Sequence, residues 1–219
     1  MKLCLAQTRA IKGDIHRNIK HHLALVVKAQ EEKADLLVFP ELSITGYEPS
    51  LAKNLSFDQS DERLLPFQNY ADELNLSIAV GLPLNYNSGV TISMLVFQPL
   101  KNRLVYSKQI LHPDEIPYFI PGPEQPLLEI NGRRIGLGIC YETLQRSHFV
   151  KVVNRKADLF VASVSKPYRG TEKAHIHFPH MAVEFQLPVM MANSIGPADN
   201  FFSHGRSSIW DSNGHLVGS

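Results

Sequence analysis

Arg133-Arg134-Ile135-Gly136-Leu137-Gly138-Ile139-Cys140-Tyr141-Glu142 alternates apolar and small residues, the pattern of a buried strand, and then stops on a thiol, an aromatic ring and an acid. The next helical pattern opens at Gln145, so Cys140 stands where a strand ends and a helix is about to begin. A thiol placed there is displayed at the end of a sheet. Free cysteine is also among the most buried residue types, so a small buried filler is the competing reading. The stretch alone does not choose between them. It does exclude a dinucleotide-binding turn, because Tyr141 stands where the third glycine of G-x-G-x-x-G is required.

A chain of 219 residues with 44% hydrophobic and 20% charged residues has enough apolar content for one sizeable core. The whole chain, 1–219, is therefore read as a single domain. Its net charge of +1 is spread along the sequence, with no basic run beyond Arg133-Arg134, which argues against nucleic acid as a partner. No stretch approaches a membrane span, and Met1-Lys2-Leu3-Cys4-Leu5 runs directly into a strand-like segment instead of a secretory leader. Two cysteines far apart form no disulfide framework, so a reducing, cytoplasmic setting is expected.

Outward from Cys140, strands alternate with helices. Lys2 to Thr8 reads as a strand, with Cys4 packed inside it. Asp14 to Lys33 reads as a helix capped by Asp14, with Ile15, Ile19, Leu23, Val26 and Val27 on its apolar side. His16, His21 and His22 along it are expected to be solvated. Leu36 to Glu41 is a further buried strand, stopped by Pro40, with a turn at Gly46. A helix over Asp61 to Glu73 and a strand over Leu76 to Pro83 follow. Val90 to Gln98 and Arg103 to Ser107 make an antiparallel pair, followed at once by Lys108. Beyond the proline-rich loop at 114–123 and the opening strand come a helix (Gln145 to Asn154), a strand (Asp158 to Ser163) and a helix from Thr171 to Gln186. Pro179 is expected to kink or start that last helix. A strand from Pro188 to Asn193 and a closing hairpin across Asn213-Gly214 complete a layered α/β order.

Three strand ends thus present Glu41, Lys108 and Cys140. A thiol at neutral pH needs a base or a nearby cation to become a good nucleophile. Glu41 supplies a base if burial raises its affinity for the proton, and Lys108 a fixed positive charge that favours thiolate and a developing oxyanion. The backbone N–H of Tyr141, opening the turn after the thiol, is a second candidate oxyanion donor.

Phe39-Pro40-Glu41-Leu42 with Gly46-Tyr47, then Tyr106-Ser107-Lys108, then Gly138-Ile139-Cys140-Tyr141-Glu142, together resemble the nitrilase superfamily of carbon–nitrogen hydrolases, in that family's order and over essentially the whole chain. The resemblance implies an αββα sandwich that pairs into a four-layer αββααββα homodimer or a higher homo-oligomer. It implies a Glu–Lys–Cys triad carried by Glu41, Lys108 and Cys140. Glu115 matches a second glutamate that helps hold substrate and lysine. A small-molecule amide substrate, a cysteine thioester, release of ammonia or an amine, and no metal or organic cofactor follow from it. Family members usually continue beyond the position of Ser219 with a further strand and tail, which this chain is expected to lack.

Other residues carry two readings. Glu142 matches a common family acid and is read as a structural hydrogen-bonder in preference to a catalyst. Tyr47, Tyr118 and Tyr141 either line a pocket or belong to the core. Lys166 and Arg169 either meet a substrate carboxylate or are solvated loop charges. His175, His177 and His180 lack ligand spacing for a metal. Met181 stands where many relatives carry arginine. The expected activity is that of an amidase on a small linear amide or carbamoyl compound. The alternatives are a non-hydrolytic or truncated family member that binds a metabolite or partner, and an acyltransferase using the same thioester.

Overall fold

Runs of three to ten mostly apolar residues, separated by amphipathic segments, leave each strand little choice but to bury both faces between neighbours. The computed structural model of the chain describes residues 1–87, 89–124 and 126–219. Its elements in order are β1 (Leu3–Leu5), α1 (Ile15–Glu31), β2 (Leu36–Val38), α2 (Ala52–Leu55), α3 (Leu65–Leu74), β3 (Ser77–Tyr86), β4 (Gly89–Phe97) and β5 (Leu104–Ser107). The second half holds β6 (Leu128–Ile130), β7 (Arg133–Ile139), α4 (Arg146–Asn154), β8 (Leu159–Val164), α5 (Tyr168–Phe185), β9 (Val189–Asn193), β10 (Ile195–Ala198), β11 (Phe201–His204), β12 (Ser208–Trp210) and β13 (Leu216–Gly218).

Two sheets result. One has the order β1-β2-β3-β4-β5 and the other β13-β12-β9-β8-β7-β6, while β10 and β11 form a separate hairpin. Each large sheet has a parallel part, β1-β2-β3 at one side of the first and β9-β8-β7 within the second, extended by antiparallel strands. Leu36, Val38, Ile92 and Met94 of the first sheet share one apolar cluster with Ile135, Leu137, Ile139 and Val161 of the second, so the sheets pack face to face. The outer face of the first sheet is covered by α1 and α3 through Val26, Ala29, Phe67 and Ala71. The outer face of the second is covered by α4 and α5 through Phe149, Val152, Ala174 and Phe178. The layers are therefore αββα, as expected. Among the described residues no helix is long and apolar enough to cross a membrane.

The structure corrects several details. The buried face of α1 is Asn18, His22, Val26 and Ala29, one residue per turn, while Val27 is exposed. His22 is thus buried and not solvated, unlike the exposed His16 and His21. In α5, Pro179 lies inside a continuous helix that begins at Tyr168, because Thr171, Ala174, Phe178, Met181 and Ala182 pin the turns on both sides of it to the core. Met181 fills part of that apolar cluster, and Glu184 takes its cation from α4, accepting from Arg146 Nε at 2.7 Å. Two hairpins were not anticipated: β6–β7, turning at Asn131-Gly132 with φ of 49° and 73°, and β10–β11.

Candidate active site

The Glu41 side is built first from backbone. After Val38 the ladder continues for one more bond, Phe39 N–H to Ala79 O at 2.9 Å, and Pro40 then ends it. Leu42 takes φ 50°, turning the chain so that Ile44 N–H reaches Gly81 O at 3.0 Å. Gly81 is needed there: a Cβ on it would lie 2.3 Å from Pro40 O and 2.6 Å from Leu42 N. Beneath the turn, His22 Nε2 meets Ser43 Oγ at 2.9 Å, its Nδ1 meets Asn18 O at 2.7 Å, and its ring stacks on Phe39.

Lys108 extends β5 by one bond, donating its N–H to Ile92 O at 2.8 Å. Its side chain is 0% exposed, and its Nζ donates to Glu41 Oε1 at 3.0 Å and to Glu115 Oε1 at 2.7 Å. Glu115 ends a short 3₁₀ turn opened by Pro113, and its Oε2 caps that turn by accepting His112 N–H at 2.7 Å. Tyr47 also donates its hydroxyl to Glu115 Oε1, at 2.9 Å. The remaining oxygen of Glu41 accepts the Ser165 N–H at 3.1 Å, a bond that crosses from the first sheet to the end of β8.

Cys140 follows β7 at once, with φ 46°, at the start of a 3₁₀ turn running to Leu144. Glu142 folds back and its Oε1 accepts the Ile139 N–H at 2.8 Å and the Tyr106 hydroxyl at 2.6 Å. Its Oε2 accepts Gln109 N–H at 2.7 Å and Ile110 N–H at 3.2 Å, tying the cysteine turn to the segment directly after Lys108. Cys140 is half-buried, and its sulfur lies 3.8 Å from Ser165 O and 3.7 Å from Lys166 Nζ.

The structure thus brings Glu41, Lys108, Glu115 and Cys140 to one end of the paired sheets, with Tyr47 behind Glu115. Lys166 joins them from the end of β8, whereas Arg169 is exposed. Tyr141 is half-buried with its ring edge-on to His112, and the Tyr118 ring is exposed. His175 and His177 point to different neighbours, Trp210 and Phe149 respectively. Sequence reasoning missed Ser165, which contributes only a backbone N–H and so leaves no side-chain signal. It also missed His22, whose place four residues from both Asn18 and Val26 was a legible sign of burial.

Burial raises the Glu41 carboxyl above the ordinary carboxylate range, and the charge of Lys108 only partly restrains this while Glu115 adds to it. Burial works against a charged Lys108, yet Glu41, Cys140 and Glu115 together hold its ammonium above the usual lysine range. Burial and then the charge of Glu41 push the Cys140 thiol up to about 11, against the opposing charges of Lys166 and Lys108. Tyr47 is likewise held protonated, by burial first and the nearby Glu41 and Glu115 next. The arrangement can move a proton between thiol and carboxylate beside a fixed cation.

An αββα sandwich with a cysteine, a lysine and two glutamates gathered where its sheets meet is a specific combination. The sequence matches the Carbon-nitrogen hydrolase family from residue 2 to 219, and the chain belongs to that family. The NitN amidase from Nesterenkonia sp. AN1 is similar in structure, with a TM-score of 0.89 at 26% identity, covering 99% of this chain and 87% of that one. A cysteine-to-alanine mutant of the Nesterenkonia amidase is known in complex with butyramide (25% identity, TM-score 0.89, 99% and 85% covered). In another mutant the acetamide moiety of fluoroacetamide is added covalently at the active-site cysteine. Among curated relatives, omega-amidase YafV of Yersinia enterocolitica is 25% identical over 99% of this chain and 83% of that protein. Glutamine-dependent NAD(+) synthetase of Aquifex aeolicus is 26% identical over 99% of this chain but only 40% of its own length. The chain therefore spans about two fifths of the synthetases that it matches.

Proposed function

We propose that this protein hydrolyses the C–N bond of a small linear carboxamide through a thioester on Cys140, releasing ammonia or an amine. The observation that carries this reading is the position of the buried Lys108 ammonium, 3.0 Å from Glu41 and 2.7 Å from Glu115, at the end of β5, with Cys140 at the end of β7 in the facing sheet. Glu41 takes the thiol proton as the sulfur attacks the carbonyl carbon. The carbonyl oxygen becomes an oxyanion, with Lys108 and the Tyr141 N–H as its donors in this reading. The tetrahedral centre collapses, Glu41 returns the proton to the leaving nitrogen, and the C–N bond breaks. Water, deprotonated by Glu41, then splits the thioester and the electron pair of the C–S bond returns to sulfur.

Butyramide in the Nesterenkonia amidase supports a short, linear substrate. The omega-amidase and the glutamine-dependent synthetases support including amides that also bear a carboxylate. The test is ammonia release over a panel of acetamide, butyramide, glutamine and dicarboxylic acid monoamides. At least one should be turned over, and Cys140→Ala should abolish it. Turnover surviving in Cys140→Ala, or a wild-type protein inert to the panel, overturns the reading.

A further inference from the structure

Lys166 is only 4% exposed, and among the described residues no carboxylate lies within ion-pair distance of its Nζ. A buried ammonium without an anion is costly, so such a group implies one that comes and goes. The contacts of this Nζ are Cys140 O at 3.4 Å and Cys140 Sγ at 3.7 Å. The charge count agrees. With Glu41 and Glu115 ionised, Lys108 balances one of the two carboxylates, and Lys166 supplies the second positive charge the cluster needs.

We infer that the Lys166 ammonium is the counter-ion of the Cys140 thiolate, a second catalytic cation beside the Glu41–Lys108–Glu115 group. This rests on the amide-hydrolysis reading above. When the S–H bond breaks, the proton forms an O–H bond on Glu41 and the electron pair stays on sulfur. Total charge is unchanged. Negative charge simply moves from Glu41, which Lys108 faces, to Cys140, which Lys166 faces. Lys166 meets the same charge again when hydrolysis of the thioester returns the electron pair to sulfur. Among the described residues, Tyr47 and His112 beside Glu115, Tyr141 next to Cys140, and His177 of α5 also face this cluster, and burial followed by the Lys166 charge keeps His177 below the ordinary histidine range.

The Lys166 backbone is anchored independently of its side chain. Its N–H donates to Asn193 Oδ1 at 2.8 Å, and its O accepts His204 N–H at 2.9 Å. Lys166→Met and Lys166→Gln therefore test the charge with little change of frame, and a measured melting curve verifies folding of each. The probe is iodoacetamide, with the adduct on Cys140 quantified by mass spectrometry across pH. Loss of the cation should slow alkylation at pH 7 by about tenfold or more and move its rise to higher pH, and Lys166→Arg should restore most of the rate. An alkylation profile unmoved in either neutral variant overturns the inference. So does a change confined to a higher KM for carboxylate-bearing amides, which would make Lys166 a substrate-anion contact instead. Alkylation needs no turnover, so an inert wild-type protein would sink the amidase reading while leaving this measurement intact.

Discussion

Glu41 and Cys140 each follow a central parallel strand, β2 in one sheet and β7 in the other. Each turn carries a non-glycine residue at positive φ, 50° at Leu42 and 46° at Cys140. Each has a glycine at its back and a buried histidine beneath it. His22 reaches Ser43 on one side, and His148 Nε2 meets Leu137 O at 2.9 Å on the other. The supports differ in kind. Gly81 faces the backbone of the Glu41 turn, whereas Gly138 faces side chains, and a Cβ added to it would fall 2.7 Å from both Phe160 Cζ and Thr143 Cγ2. Glu41 is thus clamped by main chain and fully buried, while the Cys140 thiol sits half-open on a turn held by one carboxylate, Glu142. The contrast suits the proposed mechanism, in which the proton acceptor must not drift and the nucleophile must admit a substrate. The strain of positive φ, about 1–3 kcal/mol for such a residue, is carried on both sides by the surrounding hydrogen bonds.

The largest expected effect lies between the two turns. Lys108→Met leaves Glu41 and Glu115 facing each other without a cation, so urea unfolding should show a loss of about 3–5 kcal/mol. The deficit should shrink as pH falls, since protonating Glu41 removes the unpaired charge, and amide turnover should vanish at every pH.

Gly81→Ala comes next. Its neighbours are backbone atoms that cannot swing aside, so a loss of about 3 kcal/mol is expected from the same unfolding curve. A loss well under 1 kcal/mol would show that the Glu41 turn is not clamped as described.

The third prediction is a pH dependence. Burial lowers His22 from 6.5 to about 4. Its folded form prefers the neutral ring, so its contribution is complete above about pH 6.5 and is lost as pH falls toward 4. That loss amounts to roughly 3 kcal/mol across the window. His22→Gln should flatten this part of the stability–pH curve, and an unchanged slope would contradict the assignment.

The smallest effect belongs to Gly138→Ala. Phe160 and Thr143 can re-pack, so about 1–2 kcal/mol is expected, less than at Gly81. Equal losses at the two glycines would erase the distinction between a backbone clamp and a side-chain clamp.

Both strand ends were legible in the sequence, because short apolar runs closed by proline or cysteine admit few other structures. The order of elements announced a layered α/β protein, and the αββα layering itself followed from the family resemblance. Much of the rest was hidden for particular reasons. Asn131-Gly132 is a strong hairpin signal that went unread, since β6 is only three residues long and gives almost no periodicity of its own. In β10, Gly196 and Pro197 disguise a strand that, among the described residues, pairs with its hairpin partner alone. Histidine on a charged helix invites a solvated reading, and only its spacing from Asn18 and Val26 reveals His22 as part of the core. The link from Ser165 to Glu41 spans 124 residues through a backbone N–H, which no side-chain pattern can announce.

That same link has a consequence for how the molecule assembles. Ser165 N–H to Glu41, and Ser163 Oγ to Phe39 O at 2.9 Å, each join segments 124 residues apart and from different sheets. Neither half of the chain holds all of the thiol's surroundings on its own, so Cys140 shares a site with Glu41 and Lys108 only when the sheets dock. A change in the alkylation of Cys140 during refolding should therefore mark the closing of the sandwich, since contacts this far apart in sequence are slow to form.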